Sequence, residues 1–320
     1  MARLSMVEAI NLALKQEMKK DNKVLILGED VGTDGGVFRV TDGLLKKYGK
    51  DRVTDTPLSE SGIVGTSIGL AITGFKPAVE IQFSGFVPPA LDQIISHASR
   101  MRNRSRGTLS VPMVIRCPYG GMVKALEHHS ESMEAAYSHI PGLKVVIPAR
   151  PYDAKGLLIS AIRDPDPVLF MEPKRVYRSI KDDVPEKEYT IPLGQAKVVR
   201  EGNDATVIAW GAMVKEALEA AEESEHDLEI IDLRTIKPFD KKTILESVEK
   251  TGRAIIAHEA TKTGGWGAEI AATIAESGAK LKAPIKRVAS PDVIIPLFKL
   301  EKYYFPDKKL ILKAVEEAMS

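Results

Sequence analysis

The chain has 320 residues, too many for one ordinary hydrophobic core, so two domains of about 150 residues each are expected. Its 45 Lys and Arg residues nearly balance 44 Asp and Glu residues, which gives a formal net charge of +1. This balance argues against binding to a nucleic-acid backbone and leaves little charge repulsion to oppose self-association. The one cysteine, Cys117, excludes an internal disulfide bond and fits a reducing compartment.

Neither a membrane span nor a secretion signal is predicted. No apolar run approaches the roughly 18 residues that a membrane helix requires. Residues 1–20 have the pattern of an amphipathic helix and lack the apolar core and cleavage site of a signal peptide. We therefore expect a cytoplasmic, oligomeric protein without nucleic-acid or membrane partners.

The first half of the chain alternates short apolar runs with helical patterns. Pro151 fits the first turn of a helix, and the Asp164-Pro165 pair ends it. Strands in rhythm with helices of this length predict a parallel α/β sheet. Strands are predicted at 23–30, 76–83, 111–118, 143–149 and 166–173, and helices at 60–74, 88–105, 131–139 and 151–163.

A composition break follows at 174–195, where charged residues and prolines replace the apolar pattern. The expected organisation is an α/β domain over 1–178, a linker over 179–192 and a smaller α/β domain over 193–320. In the second domain, strands are predicted at 204–211, 228–234, 252–260 and 285–290, and helices at 212–224, 240–250, 265–278 and 307–319.

Glu60 stands at the start of an uncharged stretch, within "DTPLSESGIVGTSIGLAITG" at 55–74. One interpretation is a plain helix start, with Ser59 or Ser61 as the cap and Glu60 in the first turn. The other is functional. The glycines of this stretch let a flat ligand come close, and a desolvated carboxyl holds its proton more tightly, so Glu60 could donate a hydrogen bond to a ring nitrogen or act as a general acid.

Three of the six histidines, His128, His129 and His139, fall in "ALEHHSESMEAAYSHIPG" at 125–142, after a strand and a glycine loop. They are either surface residues ahead of a helix or part of a site, because sites gather at the carboxyl ends of strands. A zinc site is not expected, since adjacent histidines rarely share one ion and no third ligand has suitable spacing.

Three further motifs carry weaker signals. The "EDVGTDGG" stretch at 29–36 lacks the Gly-Lys-Ser/Thr of a P-loop and is interpreted as a plain loop. The "RDPDP" stretch at 163–167 is either a solvated turn or a source of oxygen ligands for a hard cation. Arg100, Arg102, Arg104 and Arg106 are either cations at a helix end or a contact for a partner or an anion.

Four stretches together resemble the β subunit of the thiamine-diphosphate-dependent 2-oxo acid dehydrogenases, the decarboxylase components of the pyruvate and branched-chain complexes. The resemblance covers the chain from about residue 3 to its end, and the joint order of the motifs makes it specific. The stretches are "LGEDVG…GGVFR", "RVTDTPLSESGIVGTSIGLAITGFKPAVEIQF", "HHSES…HIPGLKVVIP" and "IDLRTIKPFD…HEATKTGGWGAEIA".

The resemblance implies a role for five positions. Glu60 matches the glutamate that hydrogen-bonds N1′ of the aminopyrimidine of thiamine diphosphate, and Leu58 and Gln82 match residues lining the pyrimidine pocket. Phe86 falls where many branched-chain enzymes carry a tyrosine that packs on the cofactor. His129 matches the histidine near the reaction centre that serves the transfer to the lipoyl group, with His128 only its neighbour.

The resemblance also implies a structural potassium site. Asp164 and Asp166, with the backbone of Val111, Ala161 and Ile162, match that site, and Asp166 replaces a common asparagine. The arginine run resembles family sequence too, which favours a structural or subunit-contact role over nucleic-acid binding.

The sequence lacks the family's motif for binding magnesium and the diphosphate, which bears on the partner subunits of this chain. Family members bind magnesium and the diphosphate through a Gly-Asp-Gly stretch, and this sequence contains none. The resemblance therefore implies that an α subunit holds magnesium and the diphosphate end, and that the active site lies between two α and two β chains. The two-domain fold is expected to be transketolase-like, with the second domain contacting the lipoyl transacylase core protein.

The implied reaction is the decarboxylation of a 2-oxo acid followed by reductive acylation of a lipoyl group. The stretch "QFSGFVPPALDQ" favours branched-chain members over pyruvate enzymes. Two alternatives stay open: half of a split transketolase-like or deoxyxylulose-phosphate-synthase-like enzyme, and a non-catalytic assembly subunit.

Overall fold

The computed structural model describes residues 1–320, which form two α/β units and a separate two-stranded sheet. The elements of the first half are β1 (Ala2–Ser5), α1 (Met6–Lys20), β2 (Val24–Gly28), α2 (Leu44–Tyr48), β3 (Val53–Asp55), α3 (Glu60–Ile72), β4 (Lys76–Glu80), α4 (Met101–Arg104), β5 (Val114–Tyr119), α5 (Glu134–Ser138), β6 (Lys144–Val146), α6 (Pro151–Arg163) and β7 (Val168–Pro173).

The second half begins with a strand in the stretch that connects the two units. Its elements are β8 (Lys181–Val184), β9 (Lys197–Arg200), β10 (Ala205–Ala209), α7 (Ala212–Glu223), β11 (Leu228–Asp232), β12 (Thr235–Lys237), α8 (Lys241–Thr251), β13 (Ala254–Thr261), α9 (Gly267–Glu276), β14 (Lys286–Ser290) and α10 (Lys308–Met319). No helix is long and apolar enough to cross a membrane.

The first sheet has seven strands in the order β12-β6-β7-β5-β4-β2-β3, and the second has five in the order β14-β13-β10-β11-β9. Six strands of the first sheet are parallel, and β12 runs antiparallel to β6 at its edge. In the second sheet only β9 is antiparallel to its neighbour. The α/β prediction with a mainly parallel sheet in each half is confirmed.

The helices begin and end where side chains satisfy backbone groups. Ser5 caps α1, and Glu8 completes a capping box by returning to the Ser5 backbone N–H at 2.8 Å. Pro151 opens α6 at a position where the missing N–H costs nothing. The apolar faces of α1 and α6 pack against each other over the first sheet, which buries Ile10 and Leu158.

The helix predicted at 88–105 is wrong as one continuous element. Pro88 and Pro89 allow only a short 3₁₀ turn, because proline removes backbone donors. A π-helical segment then spans Gln93–Ala98, and α4 follows after Ser99 and Arg100.

The helix predicted at 131–139 is shorter in the structure and starts at Glu134. The Glu131 carbonyl accepts a hydrogen bond from the Gly120 N–H at 3.1 Å, which ties residue 131 into the preceding loop.

The stretch predicted as a linker, 179–192, is ordered against the first unit. Its strand β8 pairs antiparallel with β1, and Ile191 packs against Gly156 of α6. The two units also share structure through β12, which comes from the second half of the chain and extends the first sheet. The two units are therefore joined through a shared sheet and not only through a connecting segment.

A buried ion network joins the middle of the first sheet. Arg116 on β5 donates to Glu80 on β4 at 2.8 Å and to both carboxylate oxygens of Glu172 on β7, at 2.7 and 3.0 Å. The Tyr177 hydroxyl donates to Glu172 at 2.5 Å. Burial raises the pKa of Glu80 against the opposing attraction of Arg116. Each buried charge is thus paired and hydrogen-bonded, as burial requires.

Replacing Arg116 by methionine leaves two buried carboxylates without their cation. We expect the Arg116→Met variant to lose about 3–5 kcal/mol of unfolding free energy near pH 8. The loss should shrink near pH 5, because burial raises the pKa of Glu80, so this carboxyl takes up a proton as the pH falls and its uncompensated charge disappears. Denaturant unfolding at both pH values measures this.

The matched control is Arg102→Met, which breaks a half-exposed ion pair with Asp166 and should cost no more than about 1 kcal/mol. Equal stability losses in the two variants would contradict the central role of the buried network.

Candidate functional site

Residues that follow five neighbouring parallel strands converge at one edge of the first sheet. The strands β2, β3, β4, β5 and β7 all end there, because carboxyl ends of parallel strands share an edge. Each strand is followed by side chains that can act chemically: Glu29 and Asp30 after β2, Glu60 after β3, Gln82 and Phe86 after β4, His129 after β5 and Lys174 after β7.

Glu60 is the first residue of α3 and lies half-buried at the helix N-terminus. Ser59 is the cap, and its hydroxyl accepts from the Gly62 N–H at 3.3 Å. The capping interpretation of the sequence is therefore correct in its geometry, and it also places the carboxylate at the sheet edge. The helix dipole favours negative charge at this position.

Glu60 has a second carboxylate for a neighbour. Burial raises the pKa of Glu29, and the nearby charges of Glu60 and Asp30 raise it further. Asp30 in turn accepts from the Gln82 side-chain amide at 3.0 Å. The predicted residues Glu60 and Gln82 are thus connected through the stretch that sequence reasoning interpreted as a plain loop. Two carboxyls in one cleft are suited to holding and passing a proton.

The His129 ring packs in an aromatic corner. Its centroid lies 4.4 Å from that of Phe83 and 5.1 Å from that of Phe86. Its Nδ1 lies 2.8 Å from the Glu127 carbonyl oxygen, which can only accept. The Nδ1 atom therefore carries the proton in the neutral ring, and Nε2 is left as the acceptor.

Gly85 allows the histidine loop to come this close to the sheet. A Cβ atom at position 85 would lie 2.0 Å from the His128 carbonyl oxygen, so no other residue fits without a shift of backbone. The contact places His129 over Phe83 and Phe86. His128 itself is exposed and 3.8 Å from Glu131, outside the aromatic corner.

Lys174 lies beneath the same loop. Its ammonium donates to the His129 carbonyl oxygen at 2.5 Å and lies 5.0 Å from the centroid of the Phe83 ring. Burial lowers the pKa of Lys174 to about 8, while nearby acidic groups, Glu259 first among them, oppose that change. Lys174 was missed from the sequence because it stands at the start of the composition break at 174–195, where the apolar pattern ends.

The cleft is open on one side. Leu58, predicted to line a pyrimidine pocket, is 78% exposed although it is apolar. The Thr56 hydroxyl nearby is buried without a hydrogen-bond partner. A flat, partly apolar ring with nitrogen atoms would fit between these groups, since Glu60 offers a carboxyl and Phe86 an aromatic surface. The exposed Leu58 also leaves an apolar surface for another chain to cover.

The residues predicted to hold potassium lie together at the end of α6, but their carboxylates are already neutralised. Lys144 contacts both oxygens of Asp164 at 2.6 Å, and Arg102 contacts Asp166 at 2.6 Å. The carbonyls of Val111 and Ala161 each accept an internal hydrogen bond. The carboxylates therefore do not fit a cation ligand set here, and no group of three metal-ligating side chains exists in the structure. The potassium assignment, including Ile162, stays a prediction.

The remaining motifs lie apart from the cleft. Arg104 contacts the Ser96 carbonyl at 2.6 Å, which is a local structural role. His139 is exposed at the end of α5. The "HEATKTGGWGAEI" stretch buries His258 in the second unit, where the ring stacks on Trp210 with centroids 5.2 Å apart. Burial lowers the pKa of His258 to about 4, so the ring is neutral and structural.

Two family models match the chain. One, described as "Transketolase, pyrimidine binding domain", matches residues 2–179, and the other, "Transketolase, C-terminal domain", matches residues 194–311. The transketolase-like fold class is thereby confirmed. The first match contains every side chain of the cleft described above.

Two curated relatives identify the branch of the transketolase-like proteins to which the chain belongs. A "Pyruvate dehydrogenase E1 component subunit beta" from Acholeplasma laidlawii is 52% identical over 97% of this chain and 96% of its own length. A protein of the same name from Staphylococcus epidermidis is 52% identical over 100% of this chain and 99% of its own. The chain belongs to this family of E1 β subunits. The family identified from the sequence motifs is therefore confirmed, and a thiamine-diphosphate-dependent oxidoreductase component is favoured over the split-transketolase alternative.

A solved structure supports the fold at greater distance. The chain titled "Split gene transketolase, inactive beta4 tetramer" superposes with a TM-score of 0.82 over 99% of both chains at 22% sequence identity. At that identity the likeness concerns the arrangement of the two domains only.

The contact at Gly85 gives a direct test of the site geometry. We expect Gly85→Ala to push the His128 carbonyl away and loosen the loop that carries His129. Lys124 is the only trypsin-cleavable residue between 120 and 133, so faster tryptic cleavage at Lys124 reports this loosening. The control is Gly69→Ala on α3, where nothing lies within 4 Å of an added Cβ. Unchanged cleavage in Gly85→Ala would contradict the close approach of the loop to Gly85.

Proposed function

We propose that this chain, together with an E1 α subunit, catalyses the oxidative decarboxylation of a 2-oxo acid and the reductive acylation of a lipoyl group. The observation that carries the proposal is the convergence of Glu60, Glu29 and His129 at one sheet edge in a chain of the E1 β family. The acceptor in this proposal is the disulfide of the lipoyl group, on a transacylase core protein.

Thiamine diphosphate, when bound, would supply a nucleophilic thiazolium carbon and an electron sink for loss of carbon dioxide. The part of this chain is to hold the aminopyrimidine ring. Glu60 would exchange a hydrogen bond with the ring nitrogen, with Gln82 and Phe86 beside the ring and Leu58 against its edge. The rest of α3, which follows Glu60 and carries no charge, would keep water away from that hydrogen bond and so strengthen it.

Glu29 supports this role of Glu60. Burial, together with the neighbouring charges of Glu60 and Asp30, raises the pKa of Glu29, so Glu29 holds a proton more readily than a carboxyl in water. A shared proton between neighbouring carboxyls reduces their repulsion, and it lets one of them donate to an acceptor nitrogen.

His129 is proposed to serve the second half of the reaction. Its Nε2 is free because Nδ1 is held by the Glu127 carbonyl, so the ring can donate or accept a proton at the mouth of the cleft. The lipoyl disulfide needs a proton when it opens to a thiol and a thioester forms. A histidine with its tautomer set by a backbone carbonyl is suited to that transfer.

The diphosphate end of the cofactor and its magnesium ion are assigned to the α subunit. This sequence has no Gly-Asp-Gly stretch, and the structure contains no group of three side chains that could hold a metal ion. The exposed Leu58 fits a cleft completed by another chain. We propose an assembly of two α and two β chains, in which a second copy of this chain takes part.

Pyruvate is the proposed substrate, since the relatives that match at 52% identity bear the pyruvate name. The "QFSGFVPPALDQ" stretch favoured branched-chain acids, and these remain the second candidates. One methylene changes binding by only about 1–3 kcal/mol, so the two substrate classes are separated by measured turnover on each.

Replacing Glu60 by glutamine tests the cofactor role. The amide keeps the size and the helix position but cannot exchange a proton, so we expect turnover of the reconstituted αβ enzyme to fall at least 100-fold. Folding should be unchanged, because Glu60 makes no ion pair. The assay is thiamine-diphosphate-dependent decarboxylation with an artificial electron acceptor. Glu222→Gln, on the exposed surface of α7, is the control. Full activity of Glu60→Gln would favour the non-catalytic alternative.

A further inference from the structure

The loop that carries His129 is strained. Between Gly120 and Met133, three residues other than glycine adopt left-handed backbone conformations: Met122 at φ 67°, Lys124 at φ 58° and His128 at φ 67°. Such conformations cost of order 1–3 kcal/mol each and persist only where surrounding contacts impose them. The loop contains no helix or strand of its own, so these contacts must come from elsewhere.

The second domain supplies the largest set of them. Glu301, on the stretch between β14 and α10, is 3% exposed and turns its carboxylate into the loop. One oxygen accepts from the Met122 N–H at 2.7 Å and from the Ser130 hydroxyl at 2.9 Å. The other accepts from the Lys124 N–H at 3.2 Å. One carboxylate thus satisfies three donors, and two of them belong to the strained residues.

The opposite end of the loop is held from the first domain. Lys174 donates to the His129 carbonyl oxygen at 2.5 Å, and Gly85 provides the space for the neighbouring His128 carbonyl. The two anchors differ in kind. Lys174 and Gly85 fix the chain next to the histidine, whereas Glu301 fixes the preceding turn and the serine that follows.

We propose that Glu301 is a positioning residue, through which the C-terminal domain holds the His129 loop in its working conformation. This gives the second domain a direct part in the active site, beyond subunit assembly. The proposal rests on the function proposed for His129 in lipoyl acylation. Glu301 does not contact the cleft itself, and it acts through the backbone of Met122 and Lys124 and the hydroxyl of Ser130.

Replacing Glu301 by glutamine would remove the negative charge that accepts these three hydrogen bonds. Hydrogen bonds to an ionised acceptor are roughly twice as strong as neutral ones. A glutamine at this position would offer one oxygen acceptor and turn an NH₂ group toward N–H donors, so at least one donor would be left unpaired. The left-handed residues would then relax toward ordinary conformations and carry His129 away from Phe83 and Phe86.

The experiment compares Glu301→Gln with Glu276→Gln in the αβ enzyme. Glu276 is exposed on α9 of the same domain and forms no ion pair, so it controls for the substitution itself. Two readouts are measured: the initial rate of tryptic cleavage at Lys124, followed by mass, and the rates of the two half-reactions. These are decarboxylation with an artificial electron acceptor and reductive acylation of a lipoyl domain.

Glu301→Gln should raise the cleavage rate about 10-fold and lower lipoyl acylation at least 10-fold, with decarboxylation within 3-fold of the unmodified enzyme. Ser130→Ala, which removes one donor and keeps the carboxylate, should give a smaller change in the same direction and serves if Glu301→Gln does not fold. A purely structural role of Glu301 would lower both half-reactions together.

His129→Ala is measured in parallel. If His129→Ala loses acylation, the proposal is overturned by either of two results for Glu301→Gln: an unchanged rate of cleavage at Lys124, or faster cleavage with normal acylation. If His129→Ala keeps full acylation while trypsin cleaves Glu301→Gln faster at Lys124, the function assigned to His129 is wrong. The anchoring of the loop by Glu301 is then still supported, because the cleavage rate does not depend on enzymatic activity.

Discussion

The pairing of Arg116 with Glu80 and Glu172 is the interaction on which the site depends. It links β4, β5 and β7 inside the first sheet, just below the cleft. The residues that follow these strands are Gln82 and Phe86, the His129 loop, and Lys174. A shift of one strand relative to the next would therefore separate the aromatic corner from the histidine. Separating the partners of a buried ion network leaves an uncompensated charge, which is costly, and here both carboxylates and the guanidinium are paired.

The two domains contribute unequally to this arrangement. The first provides the sheet edge with Glu60, Glu29 and the aromatic corner. The second reaches the site through Glu301 and extends the first sheet through β12. Trp210 of the second domain also donates to Glu134 of the first at 3.2 Å, and burial raises the pKa of Glu134 to about 7. The domains thus share a buried boundary, and hydrogen bonds from Glu301 link the second domain to the His129 loop.

Much of the fold could be predicted from the sequence, because buried parallel strands are apolar throughout and their helices have clear caps and stops. The strands at 23–30 and 166–173 and the helix at 151–163 are of this kind. The short strands β1, β8 and β12 were missed because their residues are charged or few, and their pairing is set by distant partners. The helix at 88–105 was wrong because apolar periodicity does not reveal how Pro88 and Pro89 divide it.

The same distinction holds for the site. Glu60, Gln82, Phe86 and His129 carried motif signals, and the structure brings them to one sheet edge. Lys174 and Glu301 carried none, since each looks like an ordinary surface charge until the fold buries it. Glu29 lay in a stretch that was interpreted as a plain loop. Potassium binding was suggested by two aspartates, and only the structure reveals that Lys144 and Arg102 already neutralise them. Pairwise charge compensation between distant segments cannot be read from spacing along the chain.

The proposed function requires this chain to hold one end of thiamine diphosphate and an α subunit to hold the other. The most direct measurement is cofactor-dependent decarboxylation of pyruvate and of branched-chain 2-oxo acids, by this chain alone and by its mixture with the E1 α subunit. We expect activity only in the mixture, together with a particle whose mass matches two copies of each chain. Activity from this chain alone would contradict the proposed division of the cofactor site between two subunits, because a diphosphate site would then exist within these 320 residues.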